Sequence, residues 1–135
     1  MTTIAIIPAR YGSVRFPGKP LVNLAGKPLI AHVVDRAREA KRVDDVIVAT
    51  DDERIARAVQ AHGARAVMTS ADCPSGTDRI AEVVAALPDA RIIVNVQGDE
   101  PLMPPHAIDR AVEALESDPD CAVSTAMIRL TSEAD

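Results

Sequence analysis

Aromatic residues are almost absent from this chain. Of its 135 residues, one is tyrosine, one is phenylalanine and none is tryptophan. The apolar content, 47% of the residues, is therefore almost wholly aliphatic. Tyr11 and Phe16 lie close together near the N-terminus, where they either cover the end of a sheet or contact a ligand. The sequence leaves both interpretations open.

Cysteine is also scarce, and long apolar runs are missing. Cys73 and Cys121 show neither CxxC nor Cys/His spacing, so we predict two reduced structural thiols and no metal or redox role for them. No apolar run reaches the length of a membrane span. Pro8 and Arg10 interrupt the N-terminal apolar stretch, so we expect no secretory leader of the usual kind. We therefore expect a cytoplasmic protein without a membrane partner.

Acidic residues are missing from the first quarter of the chain. None precedes Asp35, although the formal net charge of the whole chain is −5. The same stretch carries four cations: Arg10, Arg15, Lys19 and Lys27. A cationic loop containing Gly12 and Gly18 on an acidic protein favours a local site for a phosphorylated small molecule. No basic face extends beyond this loop, which argues against nucleic acid as a partner.

Apolar segments of strand and helix type alternate along the chain. Strands are predicted at residues 4–8, 45–50, 65–68, 91–96 and 122–128, and a long loop at residues 9–28. Helices are predicted at 29–40, from a cap at Thr50 or Asp51 to a stop at Gly63, at 77–87 and at 105–115. Repeated strand–helix units predict an α/β fold, a doubly wound and mostly parallel sheet with helices on both faces.

The usual phosphate-binding motifs do not occur in the cationic loop. A Walker loop requires GxxxxGK[ST], but Lys19 is followed by Pro20, which has no hydroxyl group for magnesium. A GxGxxG fingerprint is absent as well, which disfavours a nicotinamide-dependent oxidoreductase. Phosphates would therefore be held by the bidentate guanidinium groups of arginines and the compact ammonium group of a lysine, and the glycines would let the backbone approach the ligand closely.

Two further motifs follow predicted strands. NVQGDEP, at residues 95–101, places Asp99 near a strand end, where a carboxylate suits Mg²⁺; Glu100 is the reserve candidate, and a plain turn is the structural alternative. CPSGTDR, at residues 73–79, offers Ser75 or Thr77 as the cap of a helix whose free N–H groups could face an acceptor. Capping alone explains that motif equally well.

Together these segments closely resemble the 3-deoxy-manno-octulosonate (KDO) cytidylyltransferases, also called CMP-KDO synthetases. The resemblance is carried by IIPARYGSVRFPGKPLVNLAGKPLI, VATDDERI, SGTDRIAEV and VNVQGDEPLM, in the order of that family. It implies a Rossmann-like nucleotidyltransferase fold, with Mg²⁺ as cofactor. The implied reaction transfers CMP from CTP to the anomeric hydroxyl of KDO and releases pyrophosphate, for lipopolysaccharide synthesis.

The resemblance also implies roles for individual residues. The nucleotide would be bound by Pro8, Ala9, Arg10, Ser13, Arg15, Lys19, Ser75 and Gly76. Arg10 and Lys19 would act in catalysis, Gln97 and Arg79 would lie at the sugar, and Asp99 would bind Mg²⁺. No residue is identified as a general base.

Enzymes of this family are nearly twice as long, which makes residues 1–135 the expected CTP-binding domain of a longer, homodimeric enzyme. The second half supplies another metal carboxylate, so we expect this chain not to turn over alone. Two alternatives stay open: an acylneuraminate cytidylyltransferase, and a nucleotide-binding module without catalysis.

Overall fold

Strands and helices alternate in the computed structural model, which describes residues 2–12, 17–73, 75–98 and 104–117. The strands are β1 (Thr2–Ala9), β2 (Asn23–Leu24), β3 (Lys27–Pro28), β4 (Asp45–Thr50), β5 (Arg65–Met68) and β6 (Ala90–Asn95). The helices are α1 (Leu29–Glu39), α2 (Glu53–Ala61), α3 (Gly76–Val84) and α4 (Pro105–Ser117), with a 3-10 turn at Lys19–Leu21. Within these ranges no helix has the length and hydropathy needed to cross a membrane.

Four of the strands form a parallel sheet in the order β5-β4-β1-β6. Ile6 of β1 lies opposite Ile47 of β4 on one side and Asn95 of β6 on the other. The chain runs outward from β1 through β4 to β5 and then returns to the far side of β1. The strand order therefore reverses between β1 and β6, which is where open α/β sheets bind their ligands.

The sheet is covered on both faces, as the sequence predicts. Alternate residues of β1 point in opposite directions, so one strand serves two cores. Ile7 belongs to a cluster that includes buried residues of α1, α2 and α4. Ile6 belongs to a second cluster with Ile80 and Val83 of α3. This arrangement confirms the doubly wound, mostly parallel α/β fold.

Helix α2 begins one or two residues later than predicted. Its cap is Asp52, whose Oδ1 accepts hydrogen bonds from the N–H groups of Arg54 (2.8 Å) and Ile55 (3.4 Å). The prediction of Thr50 or Asp51 as the cap is wrong because Thr50 is still the last residue of β4 and is fully buried. The predicted bounds of β4 and β5 are correct. The predicted strand at 122–128 lies outside the described residues.

The prediction of one uninterrupted loop over residues 9–28 is wrong, because that segment contains the 3-10 turn and the β2–β3 hairpin. Ala25 and Gly26 turn the hairpin with φ of 52° and 92°, and the Gly26 N–H donates to the Asn23 side chain (3.1 Å). Positive φ at both central residues is the geometry of a tight hairpin turn. Strands of two residues are too short to produce a period in the sequence.

Asp35 of α1 links the β2–β3 hairpin to α1 and α2 through hydrogen bonds. Its carboxylate accepts hydrogen bonds from Nζ of Lys27 in β3 and from Nε2 of His62 at the end of α2, the latter at 2.8 Å. Burial raises the pKa of Asp35, but the hydrogen bonds from Lys27 and His62 outweigh that effect and leave the pKa below its ordinary value. The charged form of Asp35 therefore stabilises the folded chain.

We predict that Asp35→Asn destabilises the protein at pH 7 and that this penalty disappears in acid. A carboxyl group with a lowered folded-state pKa contributes stability above its unfolded pKa of about 4 and loses it as the pH falls through the folded value. The measurement is thermal unfolding of both proteins from pH 7 to pH 3. Asp72→Asn, at an exposed position, is the control. A penalty as large at pH 3 as at pH 7 would contradict the assignment.

Candidate active site

An open cleft of about 320 Å³ lies at the carboxyl ends of β1 and β6. Its walls are formed by Pro8, Ala9, Arg10, Lys19, Pro20, Leu29, Gln97 and Gly98. These residues come from four separate segments: the end of β1, the 3-10 turn, the start of α1 and the residues after β6. The cleft thus occupies the point where the strand order reverses, the position expected for a ligand in this class of fold.

The cleft opens because β1 and β6 stop pairing at Pro8. The last bond between them is donated by the Val96 N–H to the Ile6 carbonyl, at 3.1 Å. In a parallel sheet, every second residue of a strand directs its N–H to the same neighbouring strand. The next donor from β1 to β6 after Ile6 would therefore be Pro8, which has no N–H. Gly98 lies in the resulting gap, where a Cβ atom would sit 2.8 Å from the Pro8 carbonyl oxygen. Only glycine therefore fits beside Pro8 without a shift of the backbone.

The charged residues among the described walls are both cationic. Arg10 is exposed and Lys19 is half-buried, and they approach the cleft from different segments. A guanidinium fork and an ammonium group are the side chains best suited to phosphate oxygens. Gln97 adds a neutral amide, whose Nε2 lies 3.4 Å from Oδ1 of Asn95. The cleft can therefore bind an anion at one part and a neutral polar group at another.

Lys19 reaches the cleft through a tight backbone conformation at Gly18. The Gly18 N–H donates to the Tyr11 carbonyl at 2.8 Å, with φ of 74° at Gly18. Tyr11 is half-buried and packs against the larger core cluster. It does not line the cleft, so the structure favours the covering role for this ring over ligand contact. Phe16 lies outside the described residues.

Five of the predicted site residues come together in this cleft: Pro8, Ala9, Arg10, Lys19 and Gln97. Three others, Ser13, Arg15 and Asp99, lie outside the described residues, so their roles stay predictions. The remaining three, Ser75, Gly76 and Arg79, are described but do not line it.

Ser75 and Gly76 begin helix α3 beside the cleft. The Ser75 Oγ accepts from the Asp78 N–H (3.2 Å) and donates to the Asp78 carboxylate (2.6 Å), so the hydroxyl group serves as the helix cap. A Cβ atom at Gly76 would lie 3.2 Å from Cγ of Pro8, which places the start of α3 directly against a wall residue. A nucleotide contact at this turn stays a prediction.

Arg79 is buried, with 4% of its surface exposed. Its guanidinium group donates to Oγ1 of Thr69 (2.5 Å) and the carbonyl of Ser70 (3.2 Å), and it lies 3.8 Å from the carboxylate of Asp51. These contacts join α3 to the segments that follow β4 and β5. The predicted contact of Arg79 with a sugar is untested.

Comparison with known proteins places the chain in a family. The model of the cytidylyltransferase family matches residues 4–134, nearly the whole sequence. The chain is a cytidylyltransferase family member. This finding confirms the family resemblance of the motifs.

Individual relatives carry a more specific name than the family as a whole. The chain is 54% identical over 132 residues to the 3-deoxy-manno-octulosonate cytidylyltransferase of Geobacter metallireducens, covering 98% of this chain and 52% of that protein. It is 60% identical over 112 residues to the protein of the same name from Anaeromyxobacter sp. (strain K), covering 82% and 46%. The chain thus spans about half the length of the curated relatives that it matches.

One solved structure is similar in both fold and sequence. It is CMP:2-keto-3-deoxy-manno-octonic acid synthetase complexed with CTP, with a TM-score of 0.86 and 47% identity, covering 89% of this chain and 49% of that one. The predicted Rossmann-like nucleotidyltransferase fold is confirmed by this agreement.

A metal site for this family member is not formed by the described residues alone. Nowhere in ranges 2–12, 17–73, 75–98 and 104–117 do three His, Cys, Asp or Glu side chains gather closely enough to hold a metal ion. Asp99 follows Gly98 of the cleft wall directly in sequence. The Mg²⁺ site at Asp99 remains a prediction.

Three wall residues of the cytidylyltransferase cleft were not predicted from sequence: Pro20, Leu29 and Gly98. Pro20 and Gly98 each follow a predicted site residue directly in sequence, and this proximity is the signal that could have identified them. Leu29 reads as the first apolar residue of α1, and nothing in the pattern separates a helix residue that lines a cleft from one that fills a core.

We predict that Gly98→Ala destabilises the folded chain by about 1–3 kcal/mol, the usual cost of inserting a group into a packed site. The added methyl group meets a backbone oxygen, which cannot rotate away. Urea unfolding provides the measurement. Gly12→Ala is the matched control, because a Cβ atom on Gly12 would have no neighbouring atom of the described residues within 4 Å. Equal stability of the two variants would show that β1 and β6 are not held as closely as described.

Proposed function

We propose that this chain provides the CTP-binding part of an enzyme that transfers CMP to the anomeric hydroxyl of KDO. One observation carries the proposal: Arg10 and Lys19 meet the backbone of Pro8 and Ala9 in a single cleft where the strand order reverses. The relatives named for this reaction and the related structure complexed with CTP support it.

Within the cleft we assign the two halves of the nucleotide to different walls. The cytosine base would lie along the main chain of Pro8 and Ala9, close to the Ser75–Gly76 turn. The triphosphate would be held by Arg10 and Lys19, with Ser13 and Arg15 of the same segment as further donors. Gln97 would face the sugar, whose hydroxyl groups suit an amide, with Arg79 behind it.

The reaction that follows is an in-line displacement at the α-phosphorus of CTP. A bond forms between the anomeric oxygen and the α-phosphorus, and the bond to the bridging oxygen of pyrophosphate breaks. The proton of the sugar hydroxyl passes to solvent, and the negative charge grows on the leaving pyrophosphate. Arg10 and Lys19 stabilise that charge and hold the phosphates in line. Mg²⁺ bound at Asp99 would neutralise further phosphate charge.

The same proposal extends to the use of the product, the cellular location and the oligomeric state of the enzyme. The product would serve lipopolysaccharide synthesis, in the cytoplasm, and the complete enzyme would be a homodimer. Two other functions remain to be separated by experiment, namely transfer to N-acetylneuraminate and nucleotide binding without transfer. Pyrophosphate release by the full-length enzyme is measured with CTP, Mg²⁺ and each sugar in turn. Release with N-acetylneuraminate alone contradicts the KDO assignment, and CTP binding without any release favours the binding module.

Lys19→Ala should raise the Kd for CTP at least about tenfold, since a hydrogen bond to a charged group is worth about 1.5–3 kcal/mol. Turnover of the full-length enzyme, measured by pyrophosphate release, should fall by about 10²–10³, the usual effect of losing one donor to a developing charge. Calorimetric titration with CTP gives the first quantity. Lys41→Ala, a lysine at an exposed position away from the cleft walls, serves as control. Near-normal binding by the Lys19 variant would remove this lysine from the site.

A further inference from the structure

Tyr11 and Gly18 form a neck at the base of the cationic loop. The Gly18 N–H donates to the Tyr11 carbonyl at 2.8 Å, and a Cβ atom on Gly18 would lie only 2.9 Å from Cε2 of the Tyr11 ring. Arg10 immediately precedes the neck and Lys19 immediately follows it. The two cations of the cleft therefore flank the contact between Tyr11 and Gly18 in sequence.

Arg54 of helix α2 covers the outer side of this neck. Its guanidinium carbon lies 3.4 Å from the centroid of the Tyr11 ring, within the range of a cation–π contact. Helix α2 also packs against the 3-10 turn that begins with Lys19. Arg54 itself is not among the residues that line the cleft.

The guanidinium group of Arg54 is fixed in place by Asp52. Its Nε lies 3.1 Å from Oδ1 and its Nη2 lies 2.7 Å from Oδ2, which makes a two-pronged contact with one carboxylate. Asp52 is in turn immobilised as the cap of α2. Hydrogen bonds from the Arg54 side chain lower the pKa of Asp52, and the same bonds raise the pKa of Arg54. Both groups therefore keep their charges across the neutral range.

We propose that Arg54 is a positioning residue for CTP binding, which acts by clamping Tyr11 against Gly18 and so fixing the spacing of Arg10 and Lys19. The clamp prepares the two cations for the phosphates before the nucleotide arrives, which reduces the entropic cost of binding. This role rests on the proposed function of the cleft.

The expected size of the effect is modest. The side chain of Arg54 is 57% exposed, so its contact with the ring is weakened by water. Loss of an exposed cation–π contact corresponds to about a two- to fivefold change in an equilibrium constant. Arg54→Met should therefore raise the Kd for CTP by about two- to fivefold. Arg54→Lys, which keeps the charge but not the fork to Asp52, should fall between Arg54→Met and the wild type.

The chain offers a matched control and a built-in probe. Arg57 lies on the same helix with a 73% exposed side chain and pairs with Glu53 at 3.5 Å, so Arg57→Met removes an arginine from α2 without touching the neck.

Tyr11 is the only tyrosine in a chain without tryptophan, so tyrosine fluorescence reports on Tyr11 alone. Quenching of that fluorescence by acrylamide measures the access of solvent to the ring.

The experiment compares Arg54→Met, Arg54→Lys and Arg57→Met with the wild type in three measurements: acrylamide quenching, the Kd for CTP by calorimetry, and urea unfolding. We expect the quenching constant and the Kd to rise in Arg54→Met and to stay unchanged in Arg57→Met. Unfolding free energies are compared between the two methionine variants, so a general loss of stability is recognised as such.

The three measurements distinguish the outcomes that would contradict different parts of the proposal. Unchanged quenching in Arg54→Met would overturn the clamp, whatever CTP does. Increased quenching with undiminished CTP affinity would overturn the positioning role and leave the proposed function intact. A wild-type chain that ignores CTP, with quenching still sensitive to Arg54, would contradict the proposed function and the positioning role together while the clamp itself stands.

Discussion

The candidate site depends on the missing N–H of Pro8. The β1–β6 ladder ends at the bond between Ile6 and Val96 because proline cannot donate the next one. The gap that follows is where Gly98 approaches the Pro8 carbonyl and where the start of α3 meets the proline ring.

The position of Pro8 also explains why residues from distant segments share one cleft. The strand order reverses between β1 and β6, so the segments that follow them leave the sheet in different directions. Arg10 follows β1 directly, whereas Lys19 returns to the same cleft through the contact of Gly18 with Tyr11. Both cations thus reach the cleft from backbone segments at the carboxyl end of the sheet.

The fold and much of the cleft could be predicted from the sequence, because both follow from local patterns. The apolar run of β4 and the loop cations near Pro8 are visible without any tertiary information. The cap at Asp52 was missed because neighbouring Thr50 and Asp51 carry equally suitable side chains, and only the end of β4 and the hydrogen bonds to the helix N–H groups distinguish them. Leu29 and the stacking of Arg54 on Tyr11 were missed because they are contacts between segments, for which a single sequence holds no period or spacing.

The central claim is that CTP binds in the cleft between β1 and β6, and amide NMR tests it most directly. Titration of the isotope-labelled chain with CTP, and then with ATP, should shift the backbone amides of Ala9, Arg10, Lys19, Gln97 and Gly98, and CTP should do so at lower concentration. Shifts concentrated instead around the Lys27 and Asp35 contacts, or an equal response to ATP, would contradict the account.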